Sequence, residues 1–479
     1  MMVCSEWARE RQFGWYRRSS SFCPMIGARA AFLFLEKREE AGGDAGVDPA
    51  ADKRLFVPAK TAMAARDDRF VIWMREQPTD EKGDFEMTDY KAKALEMKEE
   101  ILKNRRTLHG FAETGFDLEK TLALVERELK SYGLSPERVG KAGISCLIGA
   151  GAGPVLLLRA DMDALPMAEE TGLPFAATNG NCHSCAHDCH TAMLLAAAKL
   201  LKESEGELKG RVKLMFQPAE EKLAGAADML AAGILENPKV DAALAMHLFV
   251  GGGESSRVGQ IAYKPGCATY SGDAVRITVN GKNAHGGSPQ DGVDAINIAA
   301  HIVIALQEIL AREVSCADQA VVLVGMINGG SSCNTMSGSC VLEASVRSDS
   351  REKRAFLKQR VKEISESVAA TFRGSAEVEF VYGMPSLYNE EGMCDTVGGY
   401  CRELLGQDSV TVLTGMSGSE DFTVIAEQVP SVYLHLGAGS VAQGHACGMH
   451  HPGMVVDEAV LPTGAAIYAY CAARYLEEH

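Results

Sequence analysis

Residues 154–166 read PVLLLRADMDALP. Four consecutive apolar residues, Val155, Leu156, Leu157 and Leu158, follow a proline and run into Arg159. A short continuous apolar run of this kind is a strand buried on both faces, and such strands belong to parallel sheets covered by helices. Asp161 and Asp163 come directly after it. In open α/β sheets ligands gather just beyond the carboxyl ends of strands, so two carboxylates placed there are candidates for chemistry. As plain structure the same pair would serve as a turn or a helix cap.

The pattern repeats on both sides of this stretch. Helical periodicity covers residues 92–108 and 118–132 upstream. Downstream come a helix over 191–202, a strand over 212–217 (VKLMFQ), a helix over 222–232 and a strand over 242–247 (AALAMH). Apolar strands alternating with helices predict an α/β layer with a mostly parallel sheet. Between residues 268 and 383 the order changes to strand (274–280), helix (295–311), two strands (320–328 and 340–348), helix (351–372) and strand (376–382). That is the split β-α-β-β-α-β arrangement. The α/β pattern then resumes with a strand over 431–436 and a helix over 459–476. The chain therefore reads as one α/β domain, residues 87–267 and 384–479, interrupted by a smaller α+β domain over 268–383.

Residues 1–86 have no sustained apolar period. A transit peptide, a disordered regulatory tail and a mis-called start compete there. Glu6 and Glu10 count against the first, and the favoured reading places the true start at Met87.

Composition sets outer limits. The chain has 479 residues, 46 % apolar and 23 % charged, enough for two or three globular domains. A formal net charge of −16 argues against broad contact with nucleic acid or an anionic membrane. The 14 cysteines are scattered over the whole length, which suits reduced thiols and a cytoplasmic setting better than a disulfide framework. No apolar run approaches the roughly 20 residues that span a bilayer.

Beyond Asp161 and Asp163, four clusters carry possible chemistry. NCHSCAHDCHT (181–191) crowds Cys182, His183, Cys185, His187, Asp188, Cys189 and His190 together. Thiolate plus imidazole favours a borderline-soft ion such as Zn²⁺. A redox CxxC, a structural zinc site and satisfied core residues are the competing readings. FQPAEE (216–221) places Glu220 and Glu221 after a strand, either as a metal ligand beside a general base or as an acidic helix start. His247 ends a strand, where a histidine is commonly core. GMHHP (448–452) carries His450 and His451, only one of which can face a site. Other chemistries fit poorly. GMSGS (415–419) lacks the last glycine of a nucleophile elbow, GAGAG (149–153) precedes its strand, and no Walker A sequence is present.

Taken together, the segments LRADMDALPMAEETGLPFA, CAHDCHTAMLLAAAKLL, KLMFQPAEE, SGSEDF and HHPGMVVDEAVLPTGAAIYA resemble one metallopeptidase family. That family holds aminoacylases, hippurate hydrolases, carboxypeptidase G-like enzymes and plant auxin-conjugate amidohydrolases. The auxin-conjugate and hippurate hydrolase branch is the nearest match, from about Met87 to the end. The resemblance implies a catalytic α/β domain interrupted by a ferredoxin-like lid. It implies two divalent ions (Zn or Mn, with Co or Ni able to load the same site) held by Cys185, His187, Glu221, His247 and His450. Glu220 matches the general base that works on a metal-activated water. Asp163 matches the acid that orients a ligating histidine, and Asp161 stands where related branches place that histidine. In the lid, His285 of NAHGGSP matches a residue that steadies the substrate carbonyl oxygen, and Asn334 and Arg347 match residues that grip its carboxylate. Homodimerisation through the lid is also implied. The expected activity is hydrolysis of the amide bond of N-acyl amino acids or small peptide-like conjugates. A dipeptidase or carboxypeptidase on the same scaffold is the alternative, and a non-catalytic metal- or small-molecule-binding protein a more distant one. The sequence departs from the family's pattern at Ala186, usually Gly, at Ala112, usually Pro, in the NAHGG form of the lid motif, and at Thr335, usually Pro.

Overall fold

A computed structural model describes residues 88–414 and 418–479, so the reading of residues 1–86 lies outside the described residues. The apolar run forms strand β3 (Val155–Asp161), with β1 (Glu137–Val139) and β2 (Gly143–Ile148) before it. Then come β4 (Arg211–Gln217), β5 (Ala242–Phe249) and β6 (Ile261–Tyr263). Side chains alternate along a strand, and here both faces are apolar. Leu156 and Leu158 enter one core, while Val155 and Leu157 enter another on the opposite face. Each leucine so buried contributes about 1.5–3 kcal/mol.

Four strands β7 (Gly272–Asn280), β8 (Ala320–Gly329), β9 (Ser339–Ser348) and β10 (Ser375–Met384) follow, and then β11 (Val410–Val412) and β12 (Ser431–Gly437). The eight-stranded central sheet has the order β1-β2-β4-β3-β5-β12-β6-β11. Its middle, β4-β3-β5-β12, is parallel, whereas β1, β2 and the β12–β6 pair are antiparallel. The parallel core is thus as expected, with antiparallel strands added at the margins by short segments whose apolar signal is weak.

The helices in chain order are α1 (Tyr90–Glu96), α2 (Lys98–Phe111), α3 (Glu119–Ser131), α4 (His187–Glu203), α5 (Gly225–Ala231), α6 (Ala295–Ala305), α7 (Arg351–Thr371), α8 (Glu391–Leu405), α9 (Thr423–Ala426) and α10 (Leu461–Glu478). The helix expected over 92–108 is broken at Met97, and the one expected over 191–202 begins four residues earlier, at His187.

Strands β8-β9-β7-β10 form a second, wholly antiparallel sheet. One face buries Val275, Ile277, Leu342 and Val346 against Ile298 and Ile302 of α6 and Leu357 and Val361 of α7. The opposite face, with Arg276, Glu343 and Arg347, carries no helix. Contrary to the expectation from the sequence, the stretch Ala295–Glu313 is long and apolar enough by length and composition to cross a membrane. Here Ala295, Ile298, Ala299, Ile302, Leu306 and Ile309 of that stretch pack into the core of this sheet.

Candidate metal centre

The site forms where the parallel strands stop. Asp163 lies two residues past β3, Glu220 and Glu221 lie just past β4, and His247 is among the last three residues of β5. Cys185 and His187 flank Ala186, whose left-handed backbone (φ 64°) turns the chain into α4. A β-carbon in that region is strained, which explains why glycine is usual there. Ala112 is likewise left-handed (φ 37°), and its N–H donates to the Leu108 carbonyl. Proline, with φ fixed near −65°, could not adopt that conformation.

Hydrogen bonds fix which atom each ring presents. The carbonyl of Asp163 accepts the Nδ1–H of His187 at 2.8 Å, so Nε2 is left bare. The Leu248 carbonyl accepts Nδ1–H of His247 at 2.6 Å, and His247 Nε2 lies 3.4 Å from the Cys185 Sγ. The Asp163 carboxylate accepts the N–H groups of Glu220 (2.9 Å) and Glu221 (3.3 Å), which sets the carboxylate pair in place. His450 reaches in from a late loop. Its N–H donates to the Ser184 carbonyl at 2.8 Å, and its Nε2 is 3.4 Å from Glu221 Oε1. His451 instead accepts the Gly453 N–H and is exposed.

Two of the clusters in which ligand atoms lie within 4.8 Å of one another share Glu221: Cys185 with Glu221 and His450, and His187 with Glu220 and Glu221. His187 Nε2 and Glu221 Oε1 are buried without any hydrogen-bond partner. Unpartnered buried polar atoms cost free energy unless something fills the gap. A thiol, two imidazoles and two carboxylates gathered around such atoms, with His247 Nε2 beside the thiol, fit divalent metal ions, and the sulfur and ring nitrogens suit borderline-soft ones.

Electrostatics agree. Burial and the neighbouring Glu420 and Asp421 carboxylates push Glu220 well above the usual carboxylate range. Burial pushes the Cys185 thiol well up. Burial also disfavours charge on His247 and holds it well below the usual histidine value. For His187 burial is outweighed by Asp161 and Cys185, and its value rises.

The residues expected to grip the substrate are placed differently. His285 lies in the two-residue strand Ala284–His285, paired with Thr335–Met336, so it stands beside Asn334. The Gly286 N–H donates to the Asn334 carbonyl at 2.8 Å. Both side chains are exposed, and no hydrogen bond or ion pair among the described residues joins them to the metal cluster. Arg347 sits on the bare face of the lid sheet. It lines a cleft of about 540 Å³ that also includes Leu223 and Ser419, close in sequence to Glu221 and Glu420.

A layer beneath the site escaped the sequence reading. Arg159 is fully buried and donates to Gln217 (2.8 Å), Asp161 (2.7 Å), Glu420 (2.8 and 3.4 Å) and Asp421 (3.3 Å). The signal was present: an arginine at the end of an apolar strand, with two adjacent acids in SGSEDF.

Residues 157–474 match the pattern of peptidase family M20/M25/M40. The N-acetyl-L-cysteine deacetylase of Bacillus subtilis is 33 % identical over 385 residues, 79 % of this chain and 89 % of that protein. The IAA-amino acid hydrolase ILR1-like 2 of Arabidopsis thaliana is 35 % identical over 397 residues, 81 % of this chain and 88 % of its own. A crystal structure of a dinuclear metal-binding M20 peptidase from Bacillus subtilis superposes with a TM-score of 0.69 at 30 % identity, covering 80 % of this chain and 99 % of that one. Its two-metal character matches the twin ligand clusters around Glu221, and metal-dependent amide hydrolysis is the chemistry that these relatives and this donor set share. With that pattern running from the middle of β3 to near the end of α10, the chain belongs to peptidase family M20/M25/M40.

Proposed function

We propose that this metal-dependent amidohydrolase cleaves N-acyl amino acids or related small conjugates, with Glu220 as general base. The observation that carries the reading is the convergence of the bare His187 Nε2 and Glu221 Oε1 on one buried spot beside Glu220. Cys185, His187, Glu221, His247 and His450 would hold two divalent ions there, zinc or manganese by preference, with cobalt or nickel able to load. Such ions lower the pKa of water from about 15.7 towards 7 and polarise a carbonyl oxygen.

The chain's own residues supply the rest. Glu220, held above the usual carboxylate range by burial and its acidic neighbours, is placed to accept the proton of the attacking water at its carboxylate. The same carboxyl then returns that proton to the leaving amine. Asp163 fixes both sides of this geometry, its carbonyl orienting His187 and its carboxylate orienting the peptide groups of Glu220 and Glu221. Arg347 presents a rigid guanidinium fork to a free substrate carboxylate, Asn334 assists it, and His285 stabilises the carbonyl oxygen as charge develops. Residues 268–383 act as a lid on the catalytic domain formed by 87–267 and 384–479.

A homodimer through that lid is part of the reading. Strand β8 is a ten-residue sheet edge with Val321, Leu323 and Ile327 exposed, and unpaired edges are templates for pairing. A cytoplasmic setting suits the reduced thiols: no disulfide is present among the described residues.

A side-by-side turnover assay tests the substrate class. N-acetyl, N-benzoyl and indole-acyl amino acids should be cleaved faster than unblocked dipeptides. Preference for the dipeptides would move the enzyme to the dipeptidase side of the family.

A further inference from the structure

Asp161, His187, His190 and His247 bring four ligand-type atoms within 4.8 Å of one another. This looks like another metal site, but the bonding rules it out for His190. The Leu248 N–H donates to His190 Nε2 at 2.8 Å, so the ring proton is on Nδ1, which donates to Asp161 Oδ1 at 2.5 Å. Both ring nitrogens are thereby occupied. Asp161 Oδ2 is likewise engaged, by Arg159 Nη1 at 2.7 Å.

The chain of contacts leads to the metal centre by one route. Arg159, fixed by Gln217, Glu420 and Asp421, holds Asp161. Asp161 holds His190 in one tautomer and orientation. His190 then takes the N–H of Leu248, whose carbonyl accepts the Nδ1–H of His247. The two ends of a single residue, Leu248, thus connect the two imidazoles. His247 and His190 rings lie 4.4 Å apart, edge to face, so neither can swing without the other. All of Arg159, Asp161 and His190 are fully buried.

Resting on the ligand set proposed above, we propose that His190 is a positioning residue. Through the Leu248 peptide it aims the Nε2 of His247 at the metal pocket, with Asp161 and Arg159 as its anchor. It touches neither substrate nor reacting atoms. The position that related branches fill with a ligating histidine is here a clamp, one layer further back.

Two near-isosteric variants separate the two links. In His190→Asn the amide reaches Asp161 from the Nδ1 position, but the acceptor for Leu248 is lost. In His190→Gln the amide oxygen reaches the Leu248 N–H while the Asp161 bond is weakened. We would measure zinc affinity by competition with a chromophoric chelator, record the thiolate-to-cobalt charge-transfer band of the cobalt-loaded protein, and verify folding by far-UV circular dichroism. Removing an outer-layer partner typically weakens metal binding about 10–100-fold. His190→Asn should show that loss and a shifted cobalt band, and His190→Gln a clearly smaller loss. Parental affinity and an unshifted band in folded His190→Asn would overturn the inference alone. The control is His247→Ala. If that variant keeps parental zinc affinity, or the parent binds no zinc, the ligand reading falls and this inference with it.

Discussion

The metal end and the lid end of this molecule are built in opposite ways. At the carboxyl ends of β3, β4 and β5, Asp163, Cys185, His187, Glu220 and His247 are buried, and backbone groups fix the presentation of both ligating rings. His450 is the exception, an exposed side chain that reaches in beside Glu221. In the second, antiparallel sheet and its loops, His285, Asn334 and Arg347 stand on exposed surface, and among the described residues the first two have no bonded link to the centre. The proposed ligand set is preorganised, whereas the residues proposed to grip the substrate are not fixed by any bond to that set among the described residues.

The comparison breaks if the two ends respond alike to mutation. Cys185→Ala should lose metal from the protein and turnover with it. His285→Ala should keep its full metal content and lose about 10²–10³ in kcat, the usual cost of an oxyanion donor. Metal analysis of the two purified variants decides the point, and metal loss in His285→Ala would contradict it. Next in size, Arg347→Ala should raise KM about tenfold or more for substrates with a free carboxylate, since removing one partner of a charged pair costs about 1.5–3 kcal/mol. An equal rise for the amidated substrate would remove the carboxylate grip.

A further contrast lies behind the site. Burial opposes ionisation of Glu169 and Glu458, but His109 and Thr171 for the one, and Arg106 and Arg105 for the other, hold both below the usual carboxylate range. Their stabilisation is present above about pH 4 and lost as pH falls through their depressed values. His109 has the opposite sign. Burial is outweighed by Asp188 and Glu169, its value is raised, and its contribution is lost as pH rises through that raised value. Melting temperature should therefore fall on both sides of a mildly acidic plateau, most steeply on the acid side, and a flat profile from pH 3 to 9 would contradict this balance. The smallest effect concerns Ala186. Relief of its left-handed strain is offset by the entropy glycine adds to the unfolded chain and by the buried methyl it removes, so Ala186→Gly should change stability by less than about 1 kcal/mol. Denaturant titration measures it.

How much was legible varies with burial pattern. The run PVLLLR announced a strand with two apolar faces, and both cores are there. The β-α-β-β-α-β order of the second sheet followed from clear periodicity in α6 and α7. Cys185 and His187 stood out through the crowding of ligand types over residues 181–191, whereas Glu220 and Glu221 taken alone read equally as an acidic helix start. The start of α4 was misplaced by four residues because its first turn, HDCH, is polar and yet buried, which inverts the usual surface pattern. The Arg159 layer was missed for a similar reason. A buried arginine is placed by partners far apart in sequence, Asp161, Gln217, Glu420 and Asp421, and no local period reports that.

The central claim is that Glu220 does the proton chemistry at a centre that other residues hold together. The most direct measurement is metal content and turnover of Glu220→Gln, side by side with the parent after stripping and reloading with zinc, manganese or cobalt. Metal content equal to the parent's, with kcat reduced by at least about 10²-fold, is the predicted result. Turnover near the parental rate with metal bound would contradict the account.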